Sequence, residues 1–232
     1  MEQRGFNKAG NAKNMTESVT ENTDNNAENI ESNAGRIYFL LGGARCGKSE
    51  YSENLAASLA TSDRVAYLAT GQVIDDEMRK RIEIHKKRRP AHWQTFEIEK
   101  SDIEIAHISK ILAEVSDSKM EVLLVDCITN LLFRLVYKYG LDNMEIIDNK
   151  LEKKIEKDVT AFFESFLGLV VEICKKQGMH AVIVSNEVGL GLVPPYPFGR
   201  IFRDLLGMIN KNIAALSDEA YFFAAGLKLK MK

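Results

Sequence analysis

Ile37-Tyr38-Phe39-Leu40-Leu41-Gly42-Gly43-Ala44-Arg45-Cys46-Gly47-Lys48-Ser49 joins a short apolar run to a Gly-rich turn, and a helical pattern follows from Lys48 to Leu59. Its second half matches G-x-x-x-x-G-K-[ST] in the setting that motif requires, after a strand and at the start of a helix. Glycines at 42, 43 and 47 let successive backbone N–H groups converge on an anion, and the helix N-terminus adds partial positive charge. The spacing predicts that Lys48 reaches the β- and γ-phosphates of a nucleoside triphosphate and that the Ser49 hydroxyl binds Mg²⁺. Cys46 is expected to contribute backbone N–H here rather than sulfur chemistry. The bare alternative is a tight strand-to-helix turn with no ligand.

Working outward, Val65–Ala69, Val122–Val125 and Ala181–Val184 are further short apolar runs, the last two ending in Asp126 and Ser185. Apolar runs without alternation suit strands buried on both faces of a parallel sheet. Helical patterns follow over Ala161–Cys174 and Phe198–Leu216, the latter after Pro194, Pro195 and Pro197, and Glu219–Ala224 reads as a final strand. The fold class is therefore α/β, a P-loop NTPase-like, mostly parallel sheet flanked by helices, in a single domain. Residues 142–157 alternate acidic and basic side chains and read as a solvated helical insertion. Residues 1–35 are rich in Asn, Glu, Ser and Thr with isolated apolar residues such as Phe6 and Ile30, a composition that cannot offset its ordering entropy. They read as a flexible extension, leaving 36–232 for the fold.

Composition agrees and excludes much else. The 232 residues carry 31 Lys plus Arg against 33 Asp plus Glu, a net charge of −2, so no global field draws the chain to nucleic acid or anionic lipid. No stretch reaches the roughly 18 uninterrupted apolar residues of a membrane span. Cys46, Cys127 and Cys174 are widely spaced and odd in number, which argues against a disulfide framework or zinc site and for a cytoplasmic setting.

Two features bear on chemistry beyond the phosphate loop. Asp126 ends an apolar run, where a carboxylate would orient Mg²⁺ beside a phosphate loop, although an Asp there can also cap a turn. The segment from Asp75 to Trp93 begins acidic and ends in Lys86-Lys87-Arg88-Arg89. As a helix it sets Arg81 and His85 four apart on one face. Adjacent cations disfavour imidazolium, leaving a neutral nucleophilic His85, and would stabilise a phosphate under attack. Read locally, the same run is a solvated basic helix end with an incidental histidine. His92 and Trp93 read as packing or capping residues; His107 and His180 lack clustered partners.

Beyond the loop, Tyr67-Leu68-Ala69-Thr70, Asp75-Asp76-Glu77-Met78, Arg81-Ile82-Glu83-Ile84-His85-Lys86, Arg89-Pro90-Ala91-His92-Trp93, Ser185-Asn186-Glu187-Val188-Gly189-Leu190-Gly191-Leu192-Val193-Pro194 and Phe202-Arg203-Asp204 occur in one order with Gly207 and Asn210. Together they resemble the bifunctional adenosylcobinamide kinase / adenosylcobinamide-phosphate guanylyltransferase family of cobalamin biosynthesis, over nearly all of Arg36–Lys232. The resemblance implies two steps: phosphorylation of the aminopropanol arm of adenosylcobinamide, then transfer of GMP from GTP through a guanylyl-histidine. By motif position that histidine is His85, which reverses the local reading. The resemblance also implies nucleotide contacts at Gly42, Gly43, Ala44, Arg45, Cys46, Gly47, Lys48 and Ser49, at Ala69, Thr70 and Gly71, at Lys86, Lys87, Arg88 and Arg89, and at Glu97 and Asp126. It implies ATP and GTP as substrates with Mg²⁺, and a homo-oligomer, a trimer in the family. Cys46, Lys87 and Arg88 depart from the residues common there. A kinase of another small metabolite and a nucleotide-dependent switch are the rival readings.

Overall fold

The computed structural model describes residues 34–73, 75–98, 103–141 and 144–232. The extension expected over 1–35 lies, apart from Ala34 and Gly35, outside the described residues. In order, the elements are β1 (Ile37–Gly42), α1 (Lys48–Leu59), β2 (Val65–Ala69), α2 (Asp76–Arg88), β3 (Gln94–Glu97), α3 (Ile105–Asp117), β4 (Val122–Asp126), α4 (Ile128–Tyr137), α5 (Asn149–Gln177), β5 (His180–Asn186), α6 (Pro197–Leu216), β6 (Glu219–Ala224) and β7 (Leu227–Lys230). The sheet runs β3-β2-β4-β5-β1-β6-β7; every pair is parallel except β6 with β7. This is the α/β architecture expected from the sequence.

Both faces of the sheet are covered, which explains why its central strands carry unbroken apolar runs. Alternate residues divide between two cores. Ile37, Phe39, Leu123 and Val125 pack with α3, α4, α5 and α6, while Tyr38, Leu40, Val122 and Leu124 pack with Ala56 of α1 and with Trp93. Trp93 is buried, as its packing reading anticipated.

Helix α5 corrects one expectation. Residues from Asn149 onward are not an insertion but the first turns of a 29-residue helix, capped by Asp148, whose carboxylate accepts from the Leu151 N–H at 2.7 Å. Ile147, Leu151 and Ile155, four apart, face the core, with Ile155 fully buried, and the alternating charges occupy the other faces. Asp142 and Asn143 lie outside the described residues.

Register places the site. Cα pairing aligns Glu97 with Ala69, Ala69 with Asp126, Asp126 with Val184, and Gly42 with Asn186. One carboxyl edge of the sheet therefore carries Glu97, Ala69, Asp126, Asn186 and Gly42, the edge at which open α/β sheets gather ligands.

Candidate active site

The phosphate loop fills the turn between β1 and α1. Gly47 caps α1 at φ 94°, a left-handed conformation that favours glycine, and Arg45 lies at φ 57°. A Cβ on Gly42 would stand 2.4 Å from the Phe223 carbonyl oxygen, so β6 approaches too closely for any side chain. Ala44 and Arg45 are exposed along the loop, while Cys46 is buried beneath it. Lys48 is buried, and its Nζ donates to the carbonyl oxygens of Gly42 at 2.9 Å and Gly43 at 2.6 Å, with Cys46 Sγ at 3.5 Å. The ammonium is thus held over the loop's entrance by two carbonyls. Glu187 N–H donates to the Gly42 carbonyl, tying the end of β5 to the same turn.

Asp126 stands at the end of β4 with its side chain 11% exposed. The Tyr67 hydroxyl donates to its Oδ2 at 2.9 Å. Burial, reinforced by the Asp126 charge, pushes the Tyr67 phenol far above its ordinary range, so it remains a donor at neutral pH. Asp126 Oδ1 has no hydrogen-bond partner among the described residues. With the Ser49 hydroxyl at the start of α1 it offers hard oxygen donors, the kind Mg²⁺ takes one or two of while completing its shell with water and phosphate. Among the described residues no cluster of three acidic, His or Cys side chains competes as a metal site. The neighbouring Cys127 thiol is pushed up to about 12 by burial and is inert at neutral pH.

The basic segment forms helix α2 as expected. Asp75 caps it, accepting from the Met78 N–H at 2.7 Å, and four cationic or imidazole side chains crowd its last turn. That end faces the carboxyl edge. His85 Nδ1 lies 3.7 Å from Asp126 Oδ2 and 3.9 Å from Glu53 Oε1, with Arg88 Nη2 at 3.5 Å; Nε2 has no partner among the described residues. The His85 side chain is 33% exposed, reachable yet contacted on one side.

The cations around His85 have separate tasks. Lys86 pairs with Glu97 at 2.8 Å, joining α2 to β3. Arg89 lies 3.8 Å over the Tyr67 ring and donates to the His85 carbonyl and to Thr95 Oγ1, each at 3.2 Å. With Pro90, Ala91 and Trp93, residues Lys86, Arg89, Thr95 and Glu97 line a cavity of about 260 Å³. Arg88 forms a two-pronged pair with Glu53 of α1, at 2.5 and 2.8 Å, and this carboxylate raises the affinity of the Arg88 guanidinium for its proton. Lys87 is exposed and has no partner among the described residues, so it is not drawn into the cluster. The Arg81 side chain lies outside the described residues.

Ala69, Thr70 and Gly71 leave β2 between these groups. Thr70 is fully buried, its hydroxyl donating to the Cys127 carbonyl at 2.7 Å and its N–H to the Asp126 carbonyl at 3.3 Å, so this stretch holds the adjoining strand ends together. A Cβ on Gly71 would lie 3.4 Å from the Asn130 amide nitrogen and 3.9 Å from Ile82 of α2. The Asn186 N–H donates to Thr129 Oγ1 and its carbonyl accepts from the Asn210 amide at 3.0 Å, a capping arrangement. His180 lies at the opposite end of β5, accepting from the Arg36 N–H, and has no part in the cluster.

Sequence reasoning passed over Glu53 and assigned Tyr67 no task. Glu53 left a signal: it falls four residues after Ser49, on a helix face otherwise carrying Ser52 and Ala56, where a charge is out of place unless paired.

Residues 38–231 match the model of a family described as cobinamide kinase / cobinamide phosphate guanyltransferase. The chain is 35% identical over 196 residues to the bifunctional adenosylcobalamin biosynthesis protein CobU of Escherichia coli (strain K12), a match covering 84% of this chain and 99% of that one. It is 34% identical over 199 residues to the protein of the same name from Salmonella typhimurium (strain LT2), again covering 84% and 99%. The bifunctional adenosylcobalamin biosynthesis protein CobP of Pseudomonas aeruginosa (strain PAO1) is 34% identical over 194 residues, with 84% and 96% covered.

Proposed function

The chain belongs to the cobinamide kinase / cobinamide phosphate guanyltransferase family, and from that premise we propose how this site performs the two reactions of cobalamin biosynthesis that the family name joins. In the first, a nucleoside triphosphate bound over residues 42–49 gives its γ-phosphoryl group to the hydroxyl of the aminopropanol arm of adenosylcobinamide. Lys48 shifts from the loop carbonyls to the β- and γ-phosphate oxygens, and the backbone N–H groups of the loop take the rest. Ser49 and Asp126 would hold Mg²⁺. When bound, the ion offsets the negative charge of the polyphosphate.

In the second reaction His85 is the nucleophile toward the α-phosphate of GTP. Its Nε2 lone pair forms the N–P bond while the bond to the leaving pyrophosphate breaks. The phosphate oxygen of adenosylcobinamide phosphate then attacks the same phosphorus, and the N–P electron pair returns to Nε2, releasing adenosyl-GDP-cobinamide. Dividing the displacement in two makes each half easier. The cavity between α2 and β3 suits the base. The Glu97 carboxylate presents acceptors to the N–H groups of guanine, an edge that adenine cannot supply, and Arg89 and Lys86 supply positive charge nearby. A cytoplasmic homo-oligomer, trimeric as in the family, completes the proposal.

The observation that carries this reading is the placement of His85 Nδ1 3.7 Å from Asp126, which brings the basic helix and the phosphate loop to one edge. Incubation with GTP labelled in the α-phosphate is expected to leave acid-labile, base-stable label on the protein, and His85→Ala to abolish it. Equal labelling of that variant would overturn the assignment of the nucleophile. Phosphorylation of cobinamide without any covalent label would favour a kinase alone.

A further inference from the structure

Glu53 has no place in the mechanism above, yet its environment is among the most committed in the molecule. Its side chain is 8% exposed and lies one turn beyond Ser49 on α1. Both carboxylate oxygens are engaged by Arg88, Oε2 by Nε at 2.5 Å and Oε1 by Nη2 at 2.8 Å, and Oε1 also lies 3.9 Å from His85 Nδ1. A carboxylate this buried is tolerated only when its charge is answered and its lone pairs are used. The two-pronged guanidinium fork does both, and it fixes orientation as a lysine could not.

Helix α2 needs such a fixture. None of its described side chains is buried, so apolar packing does little to set its angle against the sheet. Of its other ties at this end, Lys86 with Glu97 joins side chains 53% and 60% exposed and is worth little in water, and Arg89 on the Tyr67 ring acts from the residue after the helix. The Glu53–Arg88 pair instead connects the helix that carries the nucleophile directly to the helix that begins at the phosphate loop.

We propose that Glu53 is the positioning residue of the guanylyl step: through Arg88 it clamps α2 against α1, and its charge, with that of Asp126, favours a proton on His85 Nδ1 over the tautomer that would accept from Arg88 Nη2, 3.5 Å away, so that Nε2 faces the phosphate. The inference rests on His85 being the nucleophile, as proposed above. The balance is simple. As Nε2 forms its bond to phosphorus and pyrophosphate leaves with the P–O electron pair, the Nδ1 proton stays in place and the ring gains a positive charge. Glu53 and Asp126 face that charge from α1 and β4, while Arg88 opposes it from α2 itself. When the N–P bond breaks in the second half, the ring returns to neutrality without a proton having moved. A carboxylate behind an imidazole that orients the tautomer and stabilises the cation is an arrangement known from other nucleophilic sites. Distances of 3.7 to 3.9 Å exceed a hydrogen bond and are expected to shorten around bound nucleotide.

The test separates the two activities in the full-length protein. Glu53→Gln keeps the size and removes the charge; its one carbonyl oxygen can still accept from Arg88, while its amide nitrogen, a donor, gives up the second prong. The variant is expected to slow single-turnover labelling of His85 by α-phosphate-labelled GTP about 30-fold, less than the roughly 100-fold or more lost with a group that itself transfers a proton, because Glu53 acts through its neighbours. The dissociation constant for GTP and the rate of cobinamide phosphorylation should both stay within about twofold of wild type. Arg88→Lys, which keeps the charge but loses the fork, should show a smaller loss in the same step, and thermal unfolding of both variants reports whether they fold. Glu53→Gln labelling at the wild-type rate would overturn the proposal, as would equal losses in GTP binding and in both activities. If His85→Ala still becomes labelled, it is the nucleophile assignment that fails; if His85→Ala is silent while Glu53→Gln labels normally, Glu53 alone is misassigned.

Discussion

Replacing Tyr67 with Phe removes one oxygen atom and asks what the hydrogen bond to Asp126 is worth. Tyr67 is 4% exposed, and its hydroxyl donates at 2.9 Å to a carboxylate that has no other hydrogen-bond donor among the described residues. A bond to a charged acceptor contributes about 1.5 to 3 kcal/mol. The Asp126 side chain retains 11% exposure, so water can replace part of the loss, and the lower figure of about 1.5 kcal/mol is expected. The aromatic ring remains under the Arg89 guanidinium, 3.8 Å away, so the variant isolates the hydroxyl from the cation–π contact. For a domain of about 200 residues each kcal/mol shifts the unfolding midpoint by about 2 to 4 °C, giving a fall of about 3 to 6 °C at pH 7. The sign of the pH dependence follows from the phenol. Its folded pKa is raised above the ordinary 10.0, so its contribution is complete below that value and is lost as the pH rises beyond it. The gap between wild type and variant should therefore be flat from neutral pH to about pH 9 and narrow above 10. Paired thermal and urea melts across this range provide the assay, with Tyr137→Phe, at a residue 51% exposed, as the control. A Tyr67→Phe midpoint within about 1 °C of wild type at pH 7 would refute the reasoning, since it would mean the bond is no better than the hydration it replaces.

Two further outcomes test the frame around the site. Glu121 accepts from the Ser62 N–H and the Thr61 hydroxyl and pairs with Arg64, and these contacts hold its carboxyl down to about 2 from 4.5. That stabilisation is present above the unfolded value and lost as the pH falls, so Glu121→Gln should lower the urea midpoint at pH 7, and the deficit should close between pH 4.5 and 2; a deficit independent of pH would contradict it. Gly47→Ala meets no atom nearer than 3.7 Å, so its cost comes from the backbone at φ 94° and is about 1 to 2 kcal/mol by denaturant unfolding, with weaker binding of nucleotide. Unchanged stability in that variant would show that the loop can take another conformation freely.

The sequence disclosed the sheet's centre and missed its margins, and the reason is burial. β1, β2, β4 and β5 are covered on both faces and therefore read as unbroken apolar runs. β3 buries only Phe96 among Gln94, Thr95 and Glu97, and β7 is exposed at all four residues, so neither left an apolar signature. Helix α4 was hidden for the opposite reason. Ile128, Leu131, Leu132, Leu135 and Val136 are buried at helical spacing, but they follow β4 after a single residue, so the two apolar segments run together. At the site, the phosphate loop is a local motif and was legible from spacing alone. The approach of His85 to Asp126 and Glu53 joins residues far apart in sequence, so local charge alone could not disclose it; only the wider motif order singled the histidine out. Glu53 went unseen because a lone glutamate in a helix is usually solvated; only the arrival of Arg88 from another helix gives its burial a cause.

The way α2 is held also ranks the contacts that place His85, the proposed nucleophile. Lys86–Glu97 is an exposed pair, worth little in water and weakened further by salt. The Arg89 guanidinium lies on a tyrosine face that is itself buried, a contact that salt affects less because its electrostatic part acts away from bulk water. Glu53–Arg88 joins a carboxylate 8% exposed to a guanidinium 37% exposed, so one side of the pair is shielded by protein and the other remains at the surface. A helix set by these contacts has a defined resting position but no apolar face locking it there. Arg89, whose partners are a ring face and two neutral oxygens, is the cation placed to turn toward a phosphate, while Arg88 stays committed to Glu53. Charge rather than volume therefore sets the position of α2, and Lys86, Arg88 and Arg89 are better read as the ties that hold His85 at the carboxyl edge than as a solvated helix end.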